Sequence, residues 1–299
     1  MTTPPEEADA ALTDWWADSA RWSAEQLERH APRAADGTPA KLAEAMNYAL
    51  LGGGKRLRPS LVRLFARAFG GSDESASRAA AAIEMVHTYS LIHDDLPCMD
   101  DDDLRRGRPT CHIVYGEALA VLAGDGLLTY AFELLGAEPQ GARMCTTLAR
   151  AAGPAGMVGG QVLDLSLAGS ESAHKEVESV HRLKTAALIS AACELGALAA
   201  NAPASAVESA RAYGLDLGRL FQVVDDLLDV TGDATQLGKT PGKDAALDRA
   251  TMVAVLGLDG ARVEAERLAE RARGAAASLS GPERELALGL VVRVLGRDS

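Results

Sequence analysis

Cysteine is scarce in this chain: Cys98, Cys111, Cys145 and Cys193 are the four among 299 residues. They are too few for a disulfide scaffold in a chain this long, and none sits at the paired spacing of a zinc site. Reduced thiols in a cytoplasmic setting are therefore expected. Aromatic residues make up only 4%. They and the β-branched residues are too sparse in most segments to write a strand, and no alternating pattern appears. Positive charge is in deficit, with 30 Lys and Arg against 42 Asp and Glu and a formal net charge of −12. That excludes the basic footprint of a nucleic-acid partner, though not a small anion gripped by a few placed cations. No run of about 18 uncharged apolar residues occurs, so no membrane span is expected. The N-terminus, Met1-Thr2-Thr3-Pro4-Pro5-Glu6-Glu7, has neither the basic start nor the apolar stretch of a signal peptide.

What remains is helical. Hydrophobic residues reach 47%, enough for a sizeable core. Alanine is abundant, the apolar periodicity is that of a helix almost throughout, and no repeat of fixed period appears. No change of composition marks a linker. The fold class expected is all-α, with residues 1–12 disordered and residues 13–299 forming a single domain. Helices are expected over about 11–33, with Trp15, Trp16 and Trp22 in packing, then about 39–51, 60–69, 75–95 and 115–135. Others follow over about 144–167, kinked at its glycines, then 171–200, 214–231, 251–256, 259–277 and 282–295.

The chemistry gathers at two acidic stretches. Between His93 and Thr110, six aspartates fall within ten residues (Asp94, Asp95, Asp100 to Asp103), and Arg105, Arg106 and Arg108 follow. Carboxylates this close raise one another's pKa unless a cation sits among them. A hard divalent ion suits them, since Mg2+ takes oxygen ligands and keeps waters that a phosphate can replace. The adjoining arginines suit the anion that such a metal also touches. The second stretch places Gln222, Asp225, Asp226 and Asp229 at i, i+3, i+4 and i+7 of an otherwise apolar helix, which a solvated acidic face does not explain. On the helix leading to the first stretch, Ile83, His87, Ser90 and Asp94 share a face. His87 lies about 10 Å from Asp94 along its axis at 1.5 Å per residue. Gly52-Gly53-Gly54-Lys55-Arg56-Leu57-Arg58-Pro59 combines a free backbone, cations and a helix start, a plausible anion site. Lys184 stands near the start of an apolar, buried helix and needs an anion there.

Taken together these segments resemble the trans-isoprenyl diphosphate synthases, the polyprenyl synthetase family, of the short-chain farnesyl/geranylgeranyl type. The resemblance runs from about Lys41 to Gly257. It rests on Gly53 to Pro59, on Asp94-Asp95-x4-Asp100 with Arg105-Arg106-Gly107, on Gly159-Gly160-Gln161-x2-Asp164, on Lys184-Thr185 and on Asp225-Asp226-x2-Asp229. It implies an isoprenoid synthase-type helical bundle around a central cavity and a homodimer. The implied activity condenses isopentenyl diphosphate with the allylic diphosphates of the dimethylallyl and geranyl groups. The implied cofactor is Mg2+, three ions per site, with Mn2+ able to substitute. Asp94, Asp100 and Asp225 are then the leading metal ligands, with Asp95, Asp226 and Asp229 binding the ions directly or standing behind them. Arg105, Lys184 and Lys239 hold the allylic diphosphate, and Lys55, Arg58, His87 and Arg106 hold isopentenyl diphosphate. Thr185 and Gln222 offer oxygen dipoles to a passing cation. Helical periodicity alone would make Ser90 and Val86 the wall of the pocket for the growing tail, whereas the resemblance points to Tyr89, five residues before Asp94. A large Tyr89 with the inserted Pro97-Cys98 is similar to farnesyl-producing members, with geranylgeranyl as the alternative product.

The chain departs from the family pattern in two places. Arg249 stands where a lysine is usual, followed by Met252 and Val253, and the ending Leu295-Gly296-Arg297-Asp298-Ser299 lacks an Arg-x-x-Arg pattern. A class I terpene cyclase would carry Asn or Asp, then Ser and Glu, in the second acidic motif. A non-catalytic synthase subunit would lose aspartates. Neither matches this chain. Asp94→Ala or Asp225→Ala is expected to lower turnover at least about 100-fold, the loss of one stabiliser of developing charge. A steady-state rate near wild type in either variant would remove that residue from the mechanism.

Overall fold

Alanine and glycine on helix faces let backbones approach closely, and the core of this protein is built that way. The computed structural model describes residues 5–167, 173–231 and 251–298. Helix α1 spans Pro5–His30, α2 Ala40–Leu50, α3 Leu57–Ala68 and α4 Asp73–Asp94. After a short hairpin come α5 Cys111–Tyr115, α6 Glu117–Gly136, α7 Gly141–Ala152, α8 Met157–Leu167 and α9 His174–Val180. A π-helical turn, His181–Ala186, then runs directly into α10, Ala187–Ala199. The described chain closes with α11 Ala204–Thr231, α12 Met252–Ala276 and α13 Gly281–Leu295.

Helices α4 and α10 form the centre. Helix α4 starts on a reciprocal cap, in which the Ser75 N–H donates to Ser72 Oγ and the Ser72 N–H donates to Ser75 Oγ. It buries Ala76, Ala79 to Ala82, Ile83, Met85, Val86, Tyr89 and Ile92. Helix α10 buries ten of its residues, from Leu188 to Leu198, and packs on α3, α4, α7 and α11. A Cβ on Gly196 would stand 2.3 Å from the Val62 carbonyl oxygen, so α10 and α3 touch backbone to backbone. One apolar core continues from Leu12 to Val294.

The structure corrects several boundaries. Residues 5–12, expected to be disordered, belong to α1. Leu12 is buried and packs against Gly289 of α13, and Arg293 bonds Asp9 and Thr13, so this stretch has a surface to fold on. Helix α11 begins ten residues before the expected start at Gly214. That glycine is no helix start but a point of close approach, where a Cβ would lie 2.7 Å from Ser190 Cα. The expected 144–167 helix is two, α7 and α8, broken where Gly153 turns to extended backbone. The split expected near residue 257 is a kink at Gly257, whose φ is 70°. A hairpin not expected from the pattern pairs Leu104 with Pro109 and Arg105 with Arg108. Its turn residues, Arg106 and Gly107, both have positive φ (54° and 73°), as a two-residue hairpin of the I′ kind requires. By length and composition α6 could cross a membrane, with a mean hydropathy of 1.5, but Ala120, Ala123, Leu127 and Ala131 are buried in its packing on α4.

Between α2 and α4 sits a buried ion pair. Arg56, itself left-handed at φ 52°, donates to Glu84 Oε1 at 2.8 Å and to the Leu50 carbonyl at 2.9 Å, and both side chains are nearly sealed from water. Removing one partner strands the other charge. Glu84→Ala is expected to lower stability by about 3–5 kcal/mol, seen as an earlier urea midpoint. An unshifted midpoint would show that the pair contributes nothing to folding.

Candidate active site

The first acidic stretch folds back on the end of α4. The Asp100 N–H donates to the Asp94 carbonyl at 2.8 Å, and the Met99 and Asp101 N–H groups donate to the Leu96 carbonyl. Asp101 takes a left-handed φ of 51° to make the turn. Asp100 thus comes beside Asp94. Burial, with the charges of Asp100 and Asp95, pushes the Asp94 carboxyl up to about 6, although Lys184 and Arg105 nearby pull the other way. Asp95 is committed elsewhere, accepting from Arg105 Nε at 2.6 Å. Arg105 itself sits on the hairpin, aimed back at α4.

The facing wall is the π turn. A Cβ on Gly160 would stand 2.1 Å from the Lys184 backbone nitrogen, so only glycine on α8 lets the turn come this close. Lys184 Nζ lies 2.5 Å from Asp164 Oδ2, and Thr185 Oγ1 donates to Gln222 Oε1 at 2.8 Å. Gln222 stands one turn before Asp225 on α11. Lys184 and Thr185 therefore link the Asp94 side of the site to the Asp225 side. The Arg297 guanidinium reaches Asp225 Oδ1 at 2.9 Å and lies over the Phe221 ring, 4.9 Å from its centre. Asp226 is buried and accepts the Met252 N–H at 2.6 Å, with His181 Nε2 3.3 Å from the same oxygen. Asp229 is half-buried on the same helix.

A basic patch adjoins. Arg58 is held down to about 10 by burial and by Arg106, against the pull of Glu84. His87 is kept well below its ordinary pKa by burial, then by Arg58 and Arg106, and its imidazole is neutral near pH 7. Arg106 donates to the Gly53 carbonyl, and its guanidinium lies against Gly54, where a Cβ would meet Cζ at 2.6 Å. Lys55 is exposed on the same glycine-rich loop. Lys239 lies outside the described residues. Below Asp94, Tyr89 is buried and meets the His93 ring edge-on at 5.7 Å. His93 in turn reaches the Val121 carbonyl and presses on Gly124, which explains that glycine inside α6. The half-buried Ser90 hydroxyl donates to the His87 carbonyl at 2.8 Å.

Three contributors were not picked out as site residues from sequence: Glu84, His181 and Arg297; Asp164 was in a matched segment, but not as the anion that Lys184 needs. The isolated acid at Glu84 on an alanine face was a usable signal. The others depend on distant elements meeting.

Among the described residues no three His, Cys, Asp or Glu side chains already converge as a metal cage. The acids nevertheless fit a hard cation. Asp94 and Asp100 crowd each other, and a guanidinium stands on Asp225 as a counter-ion. Asp94, Asp100 and Asp225 would hold magnesium, whose full charge an arginine only partly replaces.

Aspartates at the end of α4 and on α11, bridged by Lys184 and Thr185 of the π turn, with a guanidinium patch beside them, suit a trans-prenyltransferase of the isoprenoid synthase fold. Residues 39–280 match the polyprenyl synthetase family, and the chain belongs to that family. It is 47% identical over 246 residues to the heterodimeric geranylgeranyl pyrophosphate synthase large subunit 1 of Arabidopsis thaliana, covering 79% of this chain and 66% of that protein. It is 48% identical over 251 residues to the farnesyl diphosphate synthase of Escherichia coli, covering 81% and 83%. The solved geranyltransferase of Helicobacter pylori, complexed with magnesium and isoprenyl diphosphate, superposes with a TM-score of 0.80 at 33% identity, covering 99% and 98%.

The raised pKa of Asp94 has a consequence for stability. Its folded value of about 6 exceeds the ordinary 3.8, so without metal the fold favours the protonated carboxyl. Stability is lost as pH climbs from about 4 to 6 and stays lower above that. Asp94→Asn is expected to raise the melting temperature of the metal-free protein at pH 8 and leave it unchanged at pH 4. Equal shifts at both pH values in a thermal melt would show that Asp94 titrates normally.

Proposed function

We propose that the protein condenses isopentenyl diphosphate with dimethylallyl and then geranyl diphosphate to give (E,E)-farnesyl diphosphate. The observation that carries this reading is the pairing of an acid-lined site with a separate patch in which Arg58 and Arg106 flank a neutral His87. Two diphosphates need two anion sites, and the neutral imidazole and the arginines suit the one that undergoes no ionisation. In the allylic substrate the carbon–oxygen bond to diphosphate breaks, and the electron pair leaves with the diphosphate. Magnesium, when bound, supplies the charge that stabilises that leaving group. Arg105 and Lys184, with Lys239 by resemblance, add hydrogen-bond donors to it. Thr185 and Gln222 turn oxygen toward the allylic cation. The double bond of isopentenyl diphosphate attacks, and the departed diphosphate takes the proton, so no strong protein base is required.

Three magnesium ions are proposed, with manganese able to replace them. The single domain expected over residues 13–299 is extended to include residues 5–12, since the continuous core starts at Leu12. A homodimer is supported by exposed Ile113, Val114, Val121 and Leu122 on the adjoining helices α5 and α6. The free cysteines support a cytoplasmic setting. A second reading, the twenty-carbon geranylgeranyl product, is favoured by the likeness to the Arabidopsis protein. Tyr89 argues against it. Its buried ring is close enough to feel the Asp94 charge, and a side chain of that size there would limit the growing tail.

Incubation with isopentenyl and dimethylallyl diphosphates and Mg2+ is expected to release diphosphate and give mainly a fifteen-carbon product on chromatography. Excess EDTA should stop it, and Tyr89→Ala should lengthen the product. Consumption of neither substrate would overturn the function, and turnover undiminished by EDTA would sink the metal. A wild-type product of twenty carbons, or an unchanged length in Tyr89→Ala, would remove Tyr89 as the ruler.

A further inference from the structure

The second acidic helix carries Asp225 and Asp226 side by side, and the structure treats them differently. Asp225 is half-buried and meets a cation from the C-terminus. Asp226 is buried, and one of its oxygens, Oδ2, is already engaged on two sides. The Met252 N–H, at the start of α12, donates to it at 2.6 Å, and His181 Nε2 stands 3.3 Å away. Met252 lies in the first turn of α12, where Thr251 caps the helix by accepting the Ala254 N–H. The carboxylate therefore faces a helix N-terminus, where backbone N–H groups and the helix dipole favour it.

His181 is the first residue of the π turn. Three and four residues on come Lys184 and Thr185, which bond Asp164 and Gln222. The ring of His181 is buried, and among the described residues its Nδ1 has no hydrogen-bond partner. Its polar contact is therefore with Asp226. A π turn is a poor hydrogen-bonding arrangement that persists where tertiary contacts hold it. Here Gly160 on one side and Asp226 on the other are such contacts.

We propose that Asp226 is a positioning residue and not a metal ligand: it ties the first residue of the π turn to the N-terminus of α12 and so sets the aim of Lys184 and Thr185. Resting on the function proposed above, this divides the second acidic motif into a metal-facing residue, Asp225, and a clamp, Asp226. The clamp needs a hydrogen-bond acceptor at that place. A metal ligand needs the negative charge as well. Asparagine keeps the acceptor and lacks the charge, so it separates the two roles.

The test compares Asp226→Asn, Asp226→Ala, Asp225→Asn and His181→Ala by two readouts. The first is Mn2+ binding without substrate, followed by electron paramagnetic resonance; the second is steady-state kinetics. Asp226→Asn is expected to bind as many Mn2+ ions as wild type and to keep kcat within about threefold. Asp226→Ala is expected to keep the Mn2+ count too, but to lose up to about 100-fold in kcat, the scale of a small misplacement of catalytic groups. Adding His181→Ala to Asp226→Ala should cost little more, because both act through one contact. Asp225→Asn should lose an ion. Loss of an ion in Asp226→Asn, an equal kcat loss in the Asn and Ala variants, or additive losses in the double variant would overturn the proposal. Wild-type Mn2+ binding in Asp225→Asn would instead overturn the metal assignment itself. If Asp226→Ala fails to fold, the Asp226→Asn and Asp225→Asn pair still decides.

Discussion

Charge held partly out of water must be answered from inside the protein, and the site is built around that requirement. Arg56 answers Glu84, Arg105 answers Asp95, Lys184 answers Asp164 and Arg297 answers Asp225. Each pair joins separate elements, so the ion pairs also fix where the elements sit. Asp94 is the group left short. Its carboxyl is crowded by Asp100 and shielded from solvent, and its pKa rises accordingly. A site with one acid under-neutralised and a basic patch alongside is poised for a metal–diphosphate pair. That pair brings positive charge to the acids and negative charge to the arginines in one step.

Those positions rest on how closely the helices approach. Glycine at 160, 196 and 214 removes the atoms that would hold α8 off the π turn, α10 off α3 and α11 off α10. The acid-bearing helices are consequently supported from behind by packed backbone, which costs little on binding because little is left to order. Small side chains here serve the function as directly as the charged ones do.

The helices were readable because their apolar period is strong, and the acids because like charges at helical spacing need a reason. The class of the protein was readable too, since several separated segments agree. Less readable were features set by contact between distant segments. Gly214 looked like a helix start because a glycine's closeness to Ser190 is invisible in one dimension. Residues 5–12 looked disordered because their support, α13, is almost the whole chain away. Spacing alone did not say that Arg105 would take Asp95 or that the Met252 N–H would take Asp226, since both partners come from other segments. Arg297 looked like a stray near an atypical end until the fold brought it to Asp225.

The π turn carries a last implication. It accommodates more residues per turn than an α-helix, so everything after it is offset in angular phase, by about 100° for one surplus residue. Upstream, Glu178 on α9 must face Arg219; downstream, α10 must present its small residues to α3 and α11. The wide turn absorbs the surplus residue and so reconciles these two demands. Deleting one residue between 181 and 186 would let the stretch close as ordinary α-helix with both flanks keeping their faces, and would remove only the wide turn that aims Lys184 and Thr185. The flanking helices need one residue fewer than the chain supplies here, and the extra one serves the site.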